Sequence, residues 1–259
     1  MKHAQQSSLL EHYHLLTYDI LDSTNEEARR LAGGGASHGA VIWAKRQSAG
    51  RGRMGREWVS AEGNLFATIL LAPEVALEVA SQLSFVAALA VAETMEGILP
   101  APERIACKWP NDVLIGGKKI AGILLESFTT PGLASPQAWV AVGIGINVDS
   151  YPEHVLYPAT CLREEGVELI SAKIVLSRLI HHFITRYDAW RAEGFAPIQR
   201  AWTKRAHQLG QTIEVVMGDE QLRGTFKGID ASGQLLLQLP KQKTARAIAA
   251  GDVFFREPA

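Results

Sequence analysis

The chain reads as an α+β protein, with a central mixed β-sheet flanked by helices and a small β-unit after it. Three features predict this. Strand patterns follow one another without intervening helices in "AVIWAKR" and "NLFATILLA", and again in "RIACKW", "KIAGILLES" and "AWVAVGIGINV". Between these groups, Val75 to Leu99 is alanine-rich, with apolar residues at near-helical spacing. After residue 208 the composition changes to short alternating runs punctuated by turn dipeptides.

Taken in order, "HLLTYDIL" (His14 to Leu21) is a strand. "DSTNEEARRLAGGG" then supplies an Asp/Ser/Thr cap cluster, acidic first-turn residues and a glycine stop, predicting a helix from about Asn25 to Leu31. Ala40 to Arg46 and Asn64 to Ala72 are buried strands, so the glycine- and arginine-rich stretch between them is a strand-to-strand loop. Val79, Leu83, Val86, Ala90 and Met95 mark a long buried helix. Of the three strands that follow, the first two are separated by turn signals at Asn111-Asp112 and Gly116-Gly117. Ser171 caps a helix with Ile174, Val175, Leu179, Phe183 and Tyr187 on one face, and a further helix covers about Ala196 to His207. Beyond it, Leu235, Leu237 and Leu239 alternate between turns at Gly218-Asp219, Asp230, Ser232-Gly233 and Gly251-Asp252, predicting a small β-barrel-like domain. The domain expectation is therefore 1–208 and 209–259.

With 259 residues, 47% hydrophobic, 20% charged and a formal net charge of -1, the chain is an ordinary globular protein with no global attraction for nucleic acid. Its most apolar windows, Leu65 to Leu71 and Leu83 to Ala92, fall short of the ~20 residues of a membrane span. No secretory signal precedes residue 17, so a cytoplasmic protein with two reduced cysteines, Cys107 and Cys161, is expected. His12, His14, His181 and His182 have no third ligand at a metal spacing and read as surface or helix-face residues.

"GRGRMG" (Gly50 to Gly55) matches the glycine spacing of a dinucleotide-binding turn, but "REWVSAEGN" after it leads into a strand rather than a helix. No G-x-x-x-x-G-K-[ST] run occurs either. What the segment offers is Lys45, Arg46, Arg51, Arg53 and Arg56 on a near-neutral chain, and local positive charge implies a local anion. A solvated basic turn, an RG-type nucleic-acid contact and a mobile clamp around a phosphate-bearing ligand all fit these residues, with Trp58 as a stacking surface for either ligand.

"KWPNDVLIGGKKIAGILLES" (Lys108 to Ser127) puts a lysine at a strand end before a proline-fixed turn bearing Asn111 and Asp112, which suits either a site wall or an exposed hairpin. Together with "DSTN" (Asp22 to Asn25), "QSAGRGRMGREW" (Gln47 to Trp58) and "VGIGINV" (Val142 to Val148), it resembles the biotin protein ligases, enzymes that attach biotin to carboxylase carrier domains. The resemblance runs over residues 15–256 and excludes the first two readings of the loop.

The resemblance implies a class II synthetase-like catalytic fold with an SH3-like C-terminal barrel. It also implies a two-step reaction: the biotin carboxylate attacks the α-phosphate of ATP, with Mg²⁺, and a carrier lysine then attacks the biotinyl-5'-adenylate. On this basis Lys108, Arg51 and Arg53 are the catalytic candidates. Ser23, Thr24, Asn25, Gln47, Gly50, Arg51, Lys108 and Gly122 are assigned to biotin. Arg53, Arg56, Trp58, Lys119, Gly143, Gly145, Asn147 and Arg256 are assigned to ATP and the adenylate. The Mg²⁺ ligands are left unassigned. Asp112 suits either orienting Lys108, assisting proton removal or capping its turn, and Cys107 reads as a packed strand residue. Because the adenylate is already activated, no Ser-His or Cys-His nucleophile is required.

Expected partners are biotin, ATP and a biotin carboxyl carrier domain. No membrane is expected. DNA is not expected, since about fourteen residues precede the first strand where repressor members carry a helix-turn-helix domain. A homodimer is left open. Two alternatives stand beside this reading: a lipoate ligase or octanoyltransferase of the same fold, and a ligand-sensing or nucleic-acid-binding protein without turnover.

Overall fold

The computed structural model describes residues 13–129, 138–153 and 157–254. The predicted strand His14–Leu21 is β1, and α1 (Thr24–Gly33) follows. Ser23 holds the N-cap position, yet its side chain caps nothing. The Thr24 N–H is met instead by Gln47 Oε1 at 2.8 Å, from the end of β2 (Ala40–Gln47). This substitution ties the helix start to the sheet and leaves the Ser23 side chain on a cavity wall.

β3 (Leu65–Leu71) is buried at every position, which requires cover on both faces of the sheet. Cover comes from α1 on one face, where Ala28, Ala32, Ile42, Leu70 and Trp139 pack together. On the other lies α3 (Leu83–Glu96), backed by α4 (Ala172–Glu193) and α5 (Phe195–Lys204). The single helix predicted over Val75–Leu99 is therefore divided: α2 (Leu77–Ala80) is one turn, and the chain tightens through Ser81 and Gln82 before α3 begins. Leu77–Glu96 is long and apolar enough to cross a membrane by composition, but α3 is buried on nearly all sides by the fold itself. Ser171 caps α4 as predicted, accepting from Ile174 N–H at 3.4 Å, although Ile174 itself is half exposed.

The sequence reading missed β5 (Asp112–Ile115), which lies between β4 (Ile105–Lys108) and β6 (Lys118–Thr129). Four residues buried throughout show no alternation, so only the Gly116-Gly117 turn after them was visible. β7 (Ala138–Ile146) completes a seven-stranded sheet in the order β1-β2-β3-β7-β6-β5-β4, in which β1 and β2 are parallel and the other pairs antiparallel. The predicted mixed sheet is thus present.

Residues 212–254 form a second, antiparallel sheet of β8 (Thr212–Met217), β9 (Glu220–Ile229), β10 (Leu235–Gln238), β11 (Arg246–Ile248) and β12 (Asp252–Phe254), in the order β11-β10-β9-β8-β12. No pairing of β11 with β12 closes it into a barrel among the described residues. It packs on the first unit through a continuous apolar core. Phe85 meets Phe195 and Trp202 edge to face at 5.5 and 5.4 Å, the Trp109 indole donates to Gly233 O at 3.0 Å, and Gln199 donates to Ile229 O at 2.7 Å. The linker after α5 lies along β4, with the Cys107 N–H donating to Arg205 O and the His207 N–H to Cys107 O.

Candidate active site

Strand register gathers the sequence motifs into one row on the α1 face of the sheet. Lys108 pairs with Asp112, Asp112 with Gly122, Gly122 with Gly145, and Gly145 with Phe66. Directly paired residues share a face, so residues up to about eighty positions apart become neighbours. Two residues along the strands, Leu124, Gly143 and Thr68 form a parallel row. These rows floor a cavity of about 210 Å³. Its roof is the 48–64 loop, which folds as a small hairpin: Gly52 N–H donates to Arg56 O and Trp58 N–H to Gly50 O. The expectation of a strand-to-strand loop holds, and no helix follows the glycines as a dinucleotide turn would need.

The two glycines of the floor are there because an indole lies on them. A Cβ on Gly145 would stand 2.5 Å from Trp58 Cε2, and one on Gly122 would stand 2.8 Å from Trp58 Cζ3. Gly143, expected on the adenine side, instead lies beneath Asn25, whose Oδ1 a Cβ would strike.

One end of the cavity is a polar network. Thr68 Oγ1, fully buried, lies 2.8 Å from Thr24 Oγ1 and 2.6 Å from Asn25 Oδ1. Asn25 Nδ2 donates to Glu126 Oε2 at 2.7 Å, and Arg51 reaches Glu26 at 2.5 Å and Glu126 at 3.2 Å. Gln47 accepts from Thr24 and donates to Ser60 Oγ at 3.0 Å. Donors and acceptors already fixed in this way are preorganised for a ligand with both kinds of group.

The other end is cationic. Lys108 is buried, and its ammonium lies 3.3 Å from the centre of the Tyr157 ring. Burial pulls its pKa down to about 8, with Asp112 opposing and Lys119 adding to the shift. Lys119 pairs with Asp112 at 2.6 Å and stands 5.2 Å from the centre of the Trp58 ring. Arg53 donates to Asn111 Oδ1 at 3.3 Å, and Arg56 pairs with Asp252 of β12 at 2.9 Å. Lys45, by contrast, pairs with Asp19 at the surface. Cys107, next to Lys108, is fully buried, and burial pushes its thiol up to about 12, which suits a packing residue.

Every sequence-assigned ligand residue lies on this cavity wall except Gly50 and Arg256. Gly50 sits behind the roof, where a Cβ would stand 2.5 Å from both Trp58 O and Ser60 Oγ, so it shapes the loop. Arg256 lies outside the described residues. Asn147 reaches the wall, but its amide donates to Thr160 O at 3.0 Å and so anchors the segment after β7. Sequence reading missed Thr68, Glu126, Tyr157 and Asp252. Thr68 and Glu126 sit in strands with nothing to mark them, and Asp252 registered only as a turn residue.

A floor of strands, a glycine-arginine roof, a polar end and a lysine-bearing end define an acyl-activating ligase site. Residues 19–147 match the biotin/lipoate A/B protein ligase family and residues 209–256 match the biotin protein ligase C terminal domain; the chain belongs to that family. It is 42% identical to the biotin--[acetyl-CoA-carboxylase] ligase of Paracoccus denitrificans, over 90% of this chain and 97% of that one. With the enzyme of the same name from Mycobacterium tuberculosis it shares 32% identity, over 89% and 85% of the two chains. The solved structure of the biotin protein ligase from Aquifex aeolicus in complex with biotin and ATP superimposes with a TM-score of 0.76 at 31% identity, covering 95% of this chain and 99% of that one.

Proposed function

We infer that the chain is a biotin protein ligase, which joins biotin to ATP and passes the biotinyl group to a lysine of a carboxylase carrier domain. The observation that carries this reading is the cavity's polarity: a neutral hydrogen-bonding network at one end and Lys108, Lys119, Arg53 and Arg56 at the other. Biotin has the matching form, a ureido ring that donates and accepts and a carboxylate at the far end of an apolar chain. Ser23, Thr24, Asn25 and Gln47 hold the ring, with Arg51 closing that end from the roof. In the first step a carboxylate oxygen bonds to the α-phosphorus of ATP and pyrophosphate leaves. Lys108 lies where negative charge converges on the attacking carboxylate and the α-phosphate, and a preorganised cation in a water-poor site stabilises that charge strongly. Arg53, Arg56 and Lys119 take the remaining phosphate charge, and Trp58 packs on the adenylate. In the second step the carrier lysine amine attacks the acyl carbon, AMP leaves and the nitrogen loses its proton.

Among the described residues no group of three or more His, Cys, Asp or Glu is placed to hold a metal. Mg²⁺ therefore enters as Mg·ATP, its usual form when substrate phosphates supply most of its ligands. The same reading assigns residues 1–208 to catalysis and 209–259 to an SH3-like unit that reaches the cavity through Asp252 and Val253. It places the enzyme in the cytoplasm, where ATP and carrier domains meet.

Incubating the protein with Mg·ATP and biotin, lipoate or octanoate, followed by mass spectrometry, tests the reading. Biotinyl-adenylate and pyrophosphate are expected from biotin alone and are lost in Lys108→Gln. An adenylate formed preferentially from lipoate or octanoate would move the chain to the other branch of its family.

A further inference from the structure

Tyr157 belongs to none of the sequence motifs, yet its ring face is the surface on which the Lys108 ammonium rests, 3.3 Å from the ring centre. The ring is held in place. On one side it packs against Phe254 of β12, with centroids 5.3 Å apart. Next to it in the chain, Pro158 O accepts from Lys119 N–H at 2.7 Å and Thr160 N–H donates to Lys119 O at 3.0 Å, which pins the segment to β6. Asp112, the carboxylate opposite Lys108 in the β4–β5 pairing, is engaged by Lys119 at 2.6 Å.

We propose that Tyr157 is a positioning residue for adenylation, whose ring face keeps the buried Lys108 amine protonated and aimed into the cavity. This proposal rests on the adenylation reading above. The physical reason lies in the kind of partner. A carboxylate against Lys108 would hold the proton but would compete with the two anions that must meet there. An aromatic face attracts a cation through its quadrupole and carries no net charge, so the full positive charge stays available to substrate. Burial pushes the Tyr157 phenol up to about 12, so the ring remains neutral across the working pH range.

The charged and titratable groups around Lys108 are Asp112 from β5, Lys119 from β6, Arg56 from the roof, Asp252 from β12 and His207 from the linker. The carboxylates favour its proton, Lys119 and Arg56 oppose it, and the Lys108 charge in turn helps to keep His207 neutral. A substitution at Tyr157 leaves all of these side chains in place.

The test reads the Lys108 titration directly from the 13Cε shift in 13C-lysine-labelled, ligand-free protein, with the resonance assigned by its absence in Lys108→Arg. Tyr157→Leu keeps the site apolar and removes the ring, and Tyr157→Met serves where Leu does not fold. Either is expected to lower the titration midpoint by about one pH unit. Tyr157→Phe, which keeps the ring face, is expected to titrate with wild type. The alkaline limb of biotinyl-adenylate formation should move down with the midpoint in Tyr157→Leu and return in Tyr157→Phe, with the KM for biotin unchanged. A midpoint unmoved in Leu and Met, or a Phe variant that behaves like Leu, overturns the proposal. Lack of adenylate from the wild-type protein would instead remove the adenylation reading and leave the titration result standing.

Discussion

Replacing Lys108 by methionine should make the protein more stable and inactive. The ammonium is 5% exposed, and burial pulls its pKa from the ordinary 10.5 to about 8. At about 1.4 kcal/mol per pH unit, holding this charge in the folded chain at neutral pH costs about 3 kcal/mol, with cation–π and ion-pair contributions already included. Methionine matches the length of the stem and carries no charge, so that cost disappears. The sign follows from proton counting. Between about pH 8 and 10.5 the unfolded chain still holds a proton that the folded chain has released, so wild-type stability gains with rising pH from this group. Below pH 8 both forms are protonated and the penalty is complete. Urea unfolding of the two proteins at pH 7 should show the variant ahead by about 3 kcal/mol, and the gap should narrow towards zero near pH 10.5. A variant no more stable than wild type at pH 7, or a gap that ignores pH, would refute the argument. Adenylate formation by the variant would show separately that the charge is not needed for activation.

Three further outcomes follow from the same geometry. Gly145→Ala places a methyl 2.5 Å from Trp58 in a strand paired on both sides, so the indole must leave the floor; overpacking costs of about 1–3 kcal/mol predict a 5- to 150-fold loss of kcat/KM for ATP, and unchanged kinetics would show that Trp58 has no fixed place there. Thr68→Val strips the buried hydroxyl shared by Thr24 and Asn25, which should cost about 1–3 kcal/mol in urea unfolding and weaken biotin binding by calorimetry; tight binding by the variant would detach this network from the ligand. Asp252→Asn frees Arg56 from its tie to the second sheet, which should raise the KM for ATP several-fold while changing stability by less than about 1 kcal/mol, because the pair is partly exposed; an unaltered KM would mean the tie does not position the roof.

Much of the architecture was legible because local periodicity and global burial agree. β1, β2 and β3 follow from short apolar runs between turn signals, and α4 from its Ser171 cap and apolar face. Two elements were misread where a local pattern is silent. β5 is too short and too buried to alternate, and the break between α2 and α3 falls in a stretch apolar enough to read as one helix. The capping of α1 was also hidden, because Gln47 does it from a strand more than twenty residues away.

By itself the sequence determined the chemistry on offer: which segments carry cations, which carry glycine, and, through four motifs in order, the family whose reaction they serve. Those are properties of consecutive residues. The tertiary structure decided which residues meet. Lys108, Asp112, Gly122, Gly145 and Phe66 share one row because strand pairing sets them in register, and a slip of one residue would turn each to the opposite face. It also brought Tyr157, Thr68, Glu126 and Asp252 to the cavity from segments with no signature, because hydrogen-bonded register and packing act between chain segments that local sequence does not connect.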